Sequence, residues 1–196
     1  MTPLIPTKII ISAPFGNYLK FPNTIRTLGT YTLQNRGGIL YRLWRCVRTL
    51  RFHWRISAWT NKLGLPNPGL DALPINTLGP DFSTYSKDII SIYGFNAEEW
   101  QRLAMKIVQN YDPLAVELNL SCPNVSHDVF LRDVMTGIDI LHGHNIKVIA
   151  KLPPVKWMKL AKPLFDYGIK TFHCCNTIPT PGGGMSRLLQ ILDSPQ

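Results

Sequence analysis

Two rhythms of apolar residues organise this chain from residue 88 onward. Short apolar runs bounded by turn formers predict buried strands. Longer segments with apolar positions every third or fourth residue predict helices packed on a sheet. Asp88-Ile89-Ile90-Ser91-Ile92-Tyr93 predicts a strand. Asn96 followed by Glu99 then reads as a capping box, opening a helix whose Trp100, Leu103, Ala104, Ile107, Val108 and Tyr111 form a core-facing stripe. Pro113-Leu114-Ala115-Val116 starts the next apolar run. Phe130, Val134, Ile138 and Leu141 mark a second helix, stopped near Gly143. Lys147–Leu152 predicts a strand closed by Pro153-Pro154. Trp157, Leu160, Ala161, Leu164 and Phe165 predict a third helix, kinked at Pro163 and stopped at Gly168. Lys170–Cys175 is a further strand that ends in Asn176-Thr177.

Nearer the N-terminus, Lys8-Ile9-Ile10-Ile11-Ser12 predicts a strand ending in the turn Ala13-Pro14-Phe15-Gly16-Asn17. Residues 18 to 60 read as irregular and basic, and Asn61–Gly69 as a shaped loop dense in turn formers. Strand and helix alternating at this spacing predict a parallel α/β architecture. Asn119, Lys151 and Asn176 all fall at C-terminal strand ends. In a parallel barrel those ends share the active-site face.

The chain is organised around Glu117-Leu118-Asn119-Leu120-Ser121-Cys122-Pro123-Asn124. Alternation along a strand points Glu117 and Asn119 one way and Leu118 and Leu120 the other. Pro123 fixes its own φ and drives Cys122 towards an extended backbone, which holds the thiol at a defined angle. A buried cysteine alone would read as a small hydrophobe. The polar residues around Cys122 have no packing role, and they favour a chemical one.

Composition adds bounds. At 196 residues and 45% apolar, the chain can bury a core of its own. No apolar stretch nears the ~20 residues of a membrane span, and Met1–Pro6 lacks a signal peptide's charged start and apolar core. The expected location is the cytoplasm. The four cysteines form no CxxC pair, and adjacent Cys174 and Cys175 suit a packed strand in a reducing compartment better than a disulfide. His173 beside them lacks the ligand spacing of a tetrahedral metal site, so no metal is expected.

The net charge of +9 is uneven: Arg42, Arg45, Arg48, Arg51 and Arg55 recur every three or four residues among Trp44, Phe52 and Trp54. On a helix this would be a basic stripe for phosphates or anionic lipid. The simpler reading is a solvated surface segment.

Neutral amides at Asn67, Asn119, Asn124 and Asn176 would suit a ring whose edge alternates N–H and C=O, as a pyrimidine does. Lys151 would supply a fixed positive charge able to stabilise a reduced flavin, and Cys122 a tunable acid or base with an ordinary pKa of ~8.5. No Ser/His/Asp arrangement is visible by spacing, and Gly182-Gly183-Gly184 is not followed by a helix.

At these residues the sequence resembles the dihydroorotate dehydrogenases. The likeness runs through Asn61–Gly69, Glu117–Asn124, Lys151–Pro154 and Asn176-Thr177, and weakly through the first strand and Gly182–Ser186. It implies an FMN-dependent (β/α)8 barrel, here incomplete at roughly five or six βα units over residues 1–186. Residues 187–196 form a divergent tail. The implied reaction oxidises dihydroorotate to orotate, with Cys122 taking the C5 proton while hydride leaves C6 for the flavin. Asn67, Asn119, Asn124, Asn176 and Thr177 would hold the pyrimidine, and Ala13, Asn119 and Lys151 would contact FMN. A cysteine base resembles the soluble class.

Three departures stand out. Arg26-Thr27 replaces the family's Lys-Thr, Val125–Asp128 has no glycine, and the pattern stops after Ser186. Alternatives are a tRNA dihydrouridine synthase, to which the motif is less close, and a non-catalytic remnant binding an acidic partner through Arg42–Arg55. Dihydropyrimidine dehydrogenase, with Pro-His where this chain has Pro123-Asn124, is more distant. An incomplete barrel would leave an open edge that invites a second copy or a complementing chain.

Overall fold

The computed structural model describes residues 9–13, 15–37, 39–54, 58–61, 65–74, 85–121, 127–153, 157–174, 177–180 and 183–186; at 39, 42, 46, 58–61, 127–130, 177–180 and 183–186 it describes the backbone alone. The elements in chain order are β1 (Ile9–Ile11), β2 (Thr24–Tyr31), α1 (Ile39–Thr49), β3 (Arg51–His53), β4 (Ala58–Asn61) and β5 (Ile89–Ile92). They continue as α2 (Ala97–Asn110), β6 (Ala115–Asn119), α3 (His127–Gly143), β7 (Val148–Leu152), α4 (Met158–Asp166), β8 (Thr171–Cys174), β9 (Thr177–Thr180) and β10 (Gly183–Ser186).

Six strands form one parallel sheet in the order β1-β2-β5-β6-β7-β8, with α2, α3 and α4 as crossovers between the last four. This is the predicted incomplete barrel. The two edge strands do not pair, yet Ser12, just past β1, meets His173 of β8 at 3.2 Å. The sheet is therefore curled until its edges touch through side chains across the interior.

The register explains which face is core. Ile92, Leu118 and Ala150 stand side by side on neighbouring strands, as do Ile90, Val116 and Val148. They pack with Trp100, Leu103 and Ile107 of α2, Val134, Ile138 and Leu141 of α3, and Leu160 and Leu164 of α4. Full burial of each such side chain contributes about 1.5–3 kcal/mol. The alternate positions, Ser91, Glu117, Asn119, Lys151 and His173, face the inside of the curl and are polar. The capping box forms: Asn96 Oδ1 accepts from Glu99 N at 2.9 Å, and the Glu99 carboxylate reaches back to Phe95 N at 3.1 Å. Pro163 lies inside α4 and Gly168 follows it at φ 110, the left-handed conformation that stops the helix.

Residues 18 to 60 are not irregular. They hold the second barrel strand, a helix and two short strands. Thr24–Tyr31 lacks an apolar run because several of its polar side chains bond to residues elsewhere in the fold, while Leu28 and Tyr31 pack in the core. Arg26, for example, grips the buried Asp88 through two bonds, Nε–Oδ1 at 3.0 Å and Nη2–Oδ2 at 2.5 Å. α1 carries Arg42, Arg45 and Arg48, so the basic segment is helical there. Arg51 lies in β3, and Arg55 is outside the described residues.

A second, antiparallel sheet runs in the order β3-β4-β10-β9. It joins the excursion after β2 to the one after β8, pairing Asn61 with Gly184 and Ser186 with Thr177. Three segments singled out in the sequence thus meet in one small sheet on the side of the C-terminal strand ends. At the opposite end of the barrel, a cavity of about 520 Å3 opens between Ile10, Ile25, Ile89, Val148, Ile149 and Thr171. No helix among the described residues is long and apolar enough to cross a membrane.

Candidate functional site

The C-terminal strand ends bring together a continuous chain of polar contacts that no single stretch of sequence contains. Asn119 Nδ2 donates to Thr30 Oγ1 at 2.8 Å, and Thr30 Oγ1 lies 3.0 Å from Ser91 Oγ. Ser91 Oγ donates to Glu117 Oε1 at 2.8 Å. Glu117 Oε2 lies 2.7 Å from His173 Nδ1, and His173 Nε2 lies 3.2 Å from Ser12 Oγ. Each hydroxyl has one proton to give. With Ser91 donating to the carboxylate, Thr30 donates to Ser91 and accepts from Asn119. The carboxylate likewise calls for a proton on His173 Nδ1, with Nε2 turned to Ser12. Both arms of the network converge on Glu117.

Glu117 is only 2% exposed. Burial alone would raise its pKa. The bond to His173, the positive charge of Lys151 and the bond from Ser91 together outweigh that and hold it below the usual carboxylate range. The interior of the barrel therefore carries a stable negative charge.

Lys151 stands in register between Asn119 and His173 and is 8% exposed. Its ammonium makes no hydrogen bond or ion pair among the described residues. Its longer-range attraction to Glu117 partly compensates it. A cation with no hydrogen-bond partner among the described residues suits an anionic or carbonyl-rich ligand at the mouth of the barrel.

Asn119 sits at the end of β6 with its oxygen accepting from Ser121 Oγ at 2.5 Å and from Ser121 N at 3.3 Å. One of its N–H groups remains after the bond to Thr30. Asn67 is 4% exposed and deeply committed to its own loop. Its Oδ1 accepts from Thr32 N, Thr32 Oγ1 and Gly69 N at 2.9–3.1 Å, and its Nδ2 donates to Leu65 O at 2.9 Å. A single N–H is left for a ligand. Ala13, half-buried, follows Ser12 at the end of β1. Cys122, Asn124 and Asn176 lie outside the described residues, and Thr177 is described only as the first backbone position of β9. Cys122 follows directly on Ser121 at the end of β6.

Arg26, the departure from the expected lysine, belongs elsewhere. It lies in the N-terminal half of β2, and its guanidinium is held by Asp88, which precedes β5. The site-facing end of that strand is Gly29-Thr30. Asn17 clamps Gly29 from both sides, accepting from its N–H at 2.9 Å and donating to its carbonyl at 2.8 Å. Gly29 has φ 107, and a Cβ there would fall 2.4 Å from Ser91 O, so only glycine fits.

Thr30, Ser91, His173 and Ser12 are site residues that spacing did not reveal. Ser91 and His173 did leave a signal, as polar residues interrupting apolar strand runs on the inward face. Three strands far apart in sequence assemble the Ser12–His173–Glu117 array. The ring nitrogens of His173 are thereby occupied by protein partners.

No family model matches the chain. Among curated proteins, the chain is 31% identical over 128 residues to the catalytic subunit of dihydroorotate dehydrogenase B (NAD(+)) of Oceanobacillus iheyensis, a match covering 60% of this chain and 41% of that protein. It is 39% identical over 115 residues to the same subunit of Fusobacterium nucleatum, covering 56% and 36%. Dihydroorotate dehydrogenase A (fumarate) of Lactiplantibacillus plantarum is 35% identical over 74 residues, covering 36% and 24%. The chain thus spans about two-fifths or less of the length of these relatives.

Proposed function

We propose that this chain carries the flavin- and substrate-handling part of a dihydroorotate dehydrogenase, oxidising dihydroorotate to orotate in pyrimidine biosynthesis. The single observation that carries the reading is Lys151. It is a largely buried lysine whose ammonium has no hydrogen bond among the described residues, beside Asn119 and one strand from the Ser121-Cys122-Pro123-Asn124 motif. Such a charge fits the electron-rich edge of a flavin, and FMN is the group that the motif resemblance implies. When bound, FMN supplies the acceptor for the two electrons that leave substrate C6.

This chain's own residues do the rest. Cys122 Sγ, as thiolate, takes the proton from C5. Asn119, Asn124 and Asn176 offer amides to the pyrimidine edge, Thr177 adds a hydroxyl, and Asn67 shapes the loop with one N–H to spare. Lys151 Nζ and the backbone at Ala13 face the flavin. His173, Lys151 and Ser91 keep Glu117 ionised.

The test is reconstitution with FMN followed by titration with orotate. The expected result is retained flavin whose absorbance shifts on orotate addition, with no RNA held at moderate salt. Flavin that does not stay with the protein, or RNA binding that orotate leaves untouched, rejects the reading in favour of a remnant or a tRNA-directed enzyme.

A further inference from the structure

The charge of this chain is confined to one part of it. Residues 1–70 contain ten of its 21 basic residues and none of its 12 acidic ones, which leaves eleven against twelve for the remainder. Arg26 is consumed by Asp88. α1 and β3 hold Arg48 and Arg51, both exposed, in a part of the sequence that has no carboxylate.

α1 also presents an apolar stripe to solvent. Leu40, Leu43, Trp44 and Val47 recur at the i, i+3, i+4, i+7 spacing of one helix face and are 79, 58, 49 and 88% exposed. A stripe of that spacing ordinarily faces a core. Arg48 lies over the Trp44 ring at 5.1 Å, so its guanidinium is held along the stripe's flank. Trp54, just after β3, is 84% exposed.

We propose that α1 docks on an anionic membrane surface. Aliphatic and tryptophan side chains enter the headgroup–acyl boundary, while the flanking arginines stay at the level of the lipid phosphates. At 11 residues the helix is roughly 16 Å long, too short to cross a bilayer and suited to lie in its plane. Nucleic acid would use the arginines and aromatic rings but has no use for Leu40, Leu43 and Val47. A second copy of this chain would bring the same arginines against them, with no acidic residue from this segment in return. α1 leaves the C-terminal end of β2, so docking turns the same barrel end that carries Thr30 and Lys151 towards the membrane.

The experiment is vesicle flotation with the full chain. It compares phosphatidylcholine alone with phosphatidylcholine containing about one third phosphatidylserine. Binding to the anionic vesicles at least about tenfold stronger than to the neutral ones is expected, with a blue shift of tryptophan emission and release as salt rises from about 0.05 to about 0.5 M. Leu43→Glu/Val47→Glu should abolish it and Arg48→Glu/Arg51→Glu weaken it, each with unchanged circular dichroism. Leu40→Ser/Val47→Ser is the milder pair should the first not fold. No binding, or equal binding to both vesicle types, overturns the proposal. So does binding of a mixed-sequence RNA that the arginine variant loses and the apolar variant keeps. A vesicle-indifferent dimer that Val47→Glu splits into monomers overturns it as well.

Discussion

His173 of β8 reaches Ser12, beside β1, although these strands are the two unpaired edges of the six-stranded sheet. The contact ties the curl together, because nothing in the strand ladder links those edges. His173→Leu should therefore cost about 1–3 kcal/mol in a urea titration. Its more specific effect should be on hydrogen exchange. Protection at Ile9–Ile11 should fall more than protection in β5 or β6, which are paired on both sides. Uniform loss across all six strands would mean that the edge contact does not hold the curl.

The other ring nitrogen of His173 binds Glu117, and this makes stability depend on pH in a defined direction. The carboxyl is held below its ordinary value near 4.5 in the folded state. A depressed carboxyl contributes stability that is fully present above the unfolded pKa and is lost as pH falls through the folded one. Glu117→Gln keeps the shape but not the charge. The stability gap between wild type and Glu117→Gln should be present at about pH 6 and shrink on acidification below about 4.5. A gap that widened in acid would contradict a stabilised carboxylate.

Arg26 offers a contrast, a charge pair with a structural task. Asp88 is 5% exposed and takes both forks of the guanidinium. Arg26→Ala strands a buried carboxylate and should cost about 3 kcal/mol; Arg26→Lys should recover part of it without the two-point grip. Orotate and flavin binding should not change in either variant, since the pair lies away from the C-terminal strand ends. Altered ligand affinity in the folded Arg26→Lys protein would return this residue to the site.

The parts of the fold legible in the sequence are those whose period is set by burial against helices. α2 could be read from its cap and stripe, and β6 and β7 from apolar runs ending in Asn119 and Lys151. β2 could not. Arg26, Gly29 and Thr30 interrupt any apolar run, and their partners, Asp88, Asn17 and Ser91, lie outside the strand. The same limit hid His173, whose role comes from strands brought together only by curling. The Arg42–Arg55 pattern was visible as a stripe, but the burial of its apolar neighbours was not, because periodicity does not say whether a face is covered.

Asn67 separates two roles that the sequence merges. Its motif suggests a ligand contact, while its bonds to Thr32, Gly69 and Leu65 make it the support of its loop. Asn67→Ala leaves buried backbone groups unpaired and should lower stability by about 2 kcal/mol with no ligand present. Unchanged stability with lost orotate affinity would assign it to the ligand alone.

Cys122 carries the chemical step of the proposed reaction, and serine is its most informative replacement. The two side chains are close in size, so flavin and orotate should bind Cys122→Ser nearly as they bind the wild type. A thiol of ordinary pKa ~8.5 needs modest tuning to act as thiolate near neutral pH, whereas a serine hydroxyl is far more basic and needs a base of its own. Stopped-flow reduction of the bound flavin by dihydroorotate should therefore slow by about 100-fold or more at pH 7. The rate should climb again as pH is raised towards 10. His173 is already committed to Glu117 and Ser12, and Lys151 is a cation, so neither is free to replace the thiolate at neutral pH. A variant that reduces flavin at the wild-type rate at pH 7 would remove Cys122 from the reaction while leaving the binding residues in place.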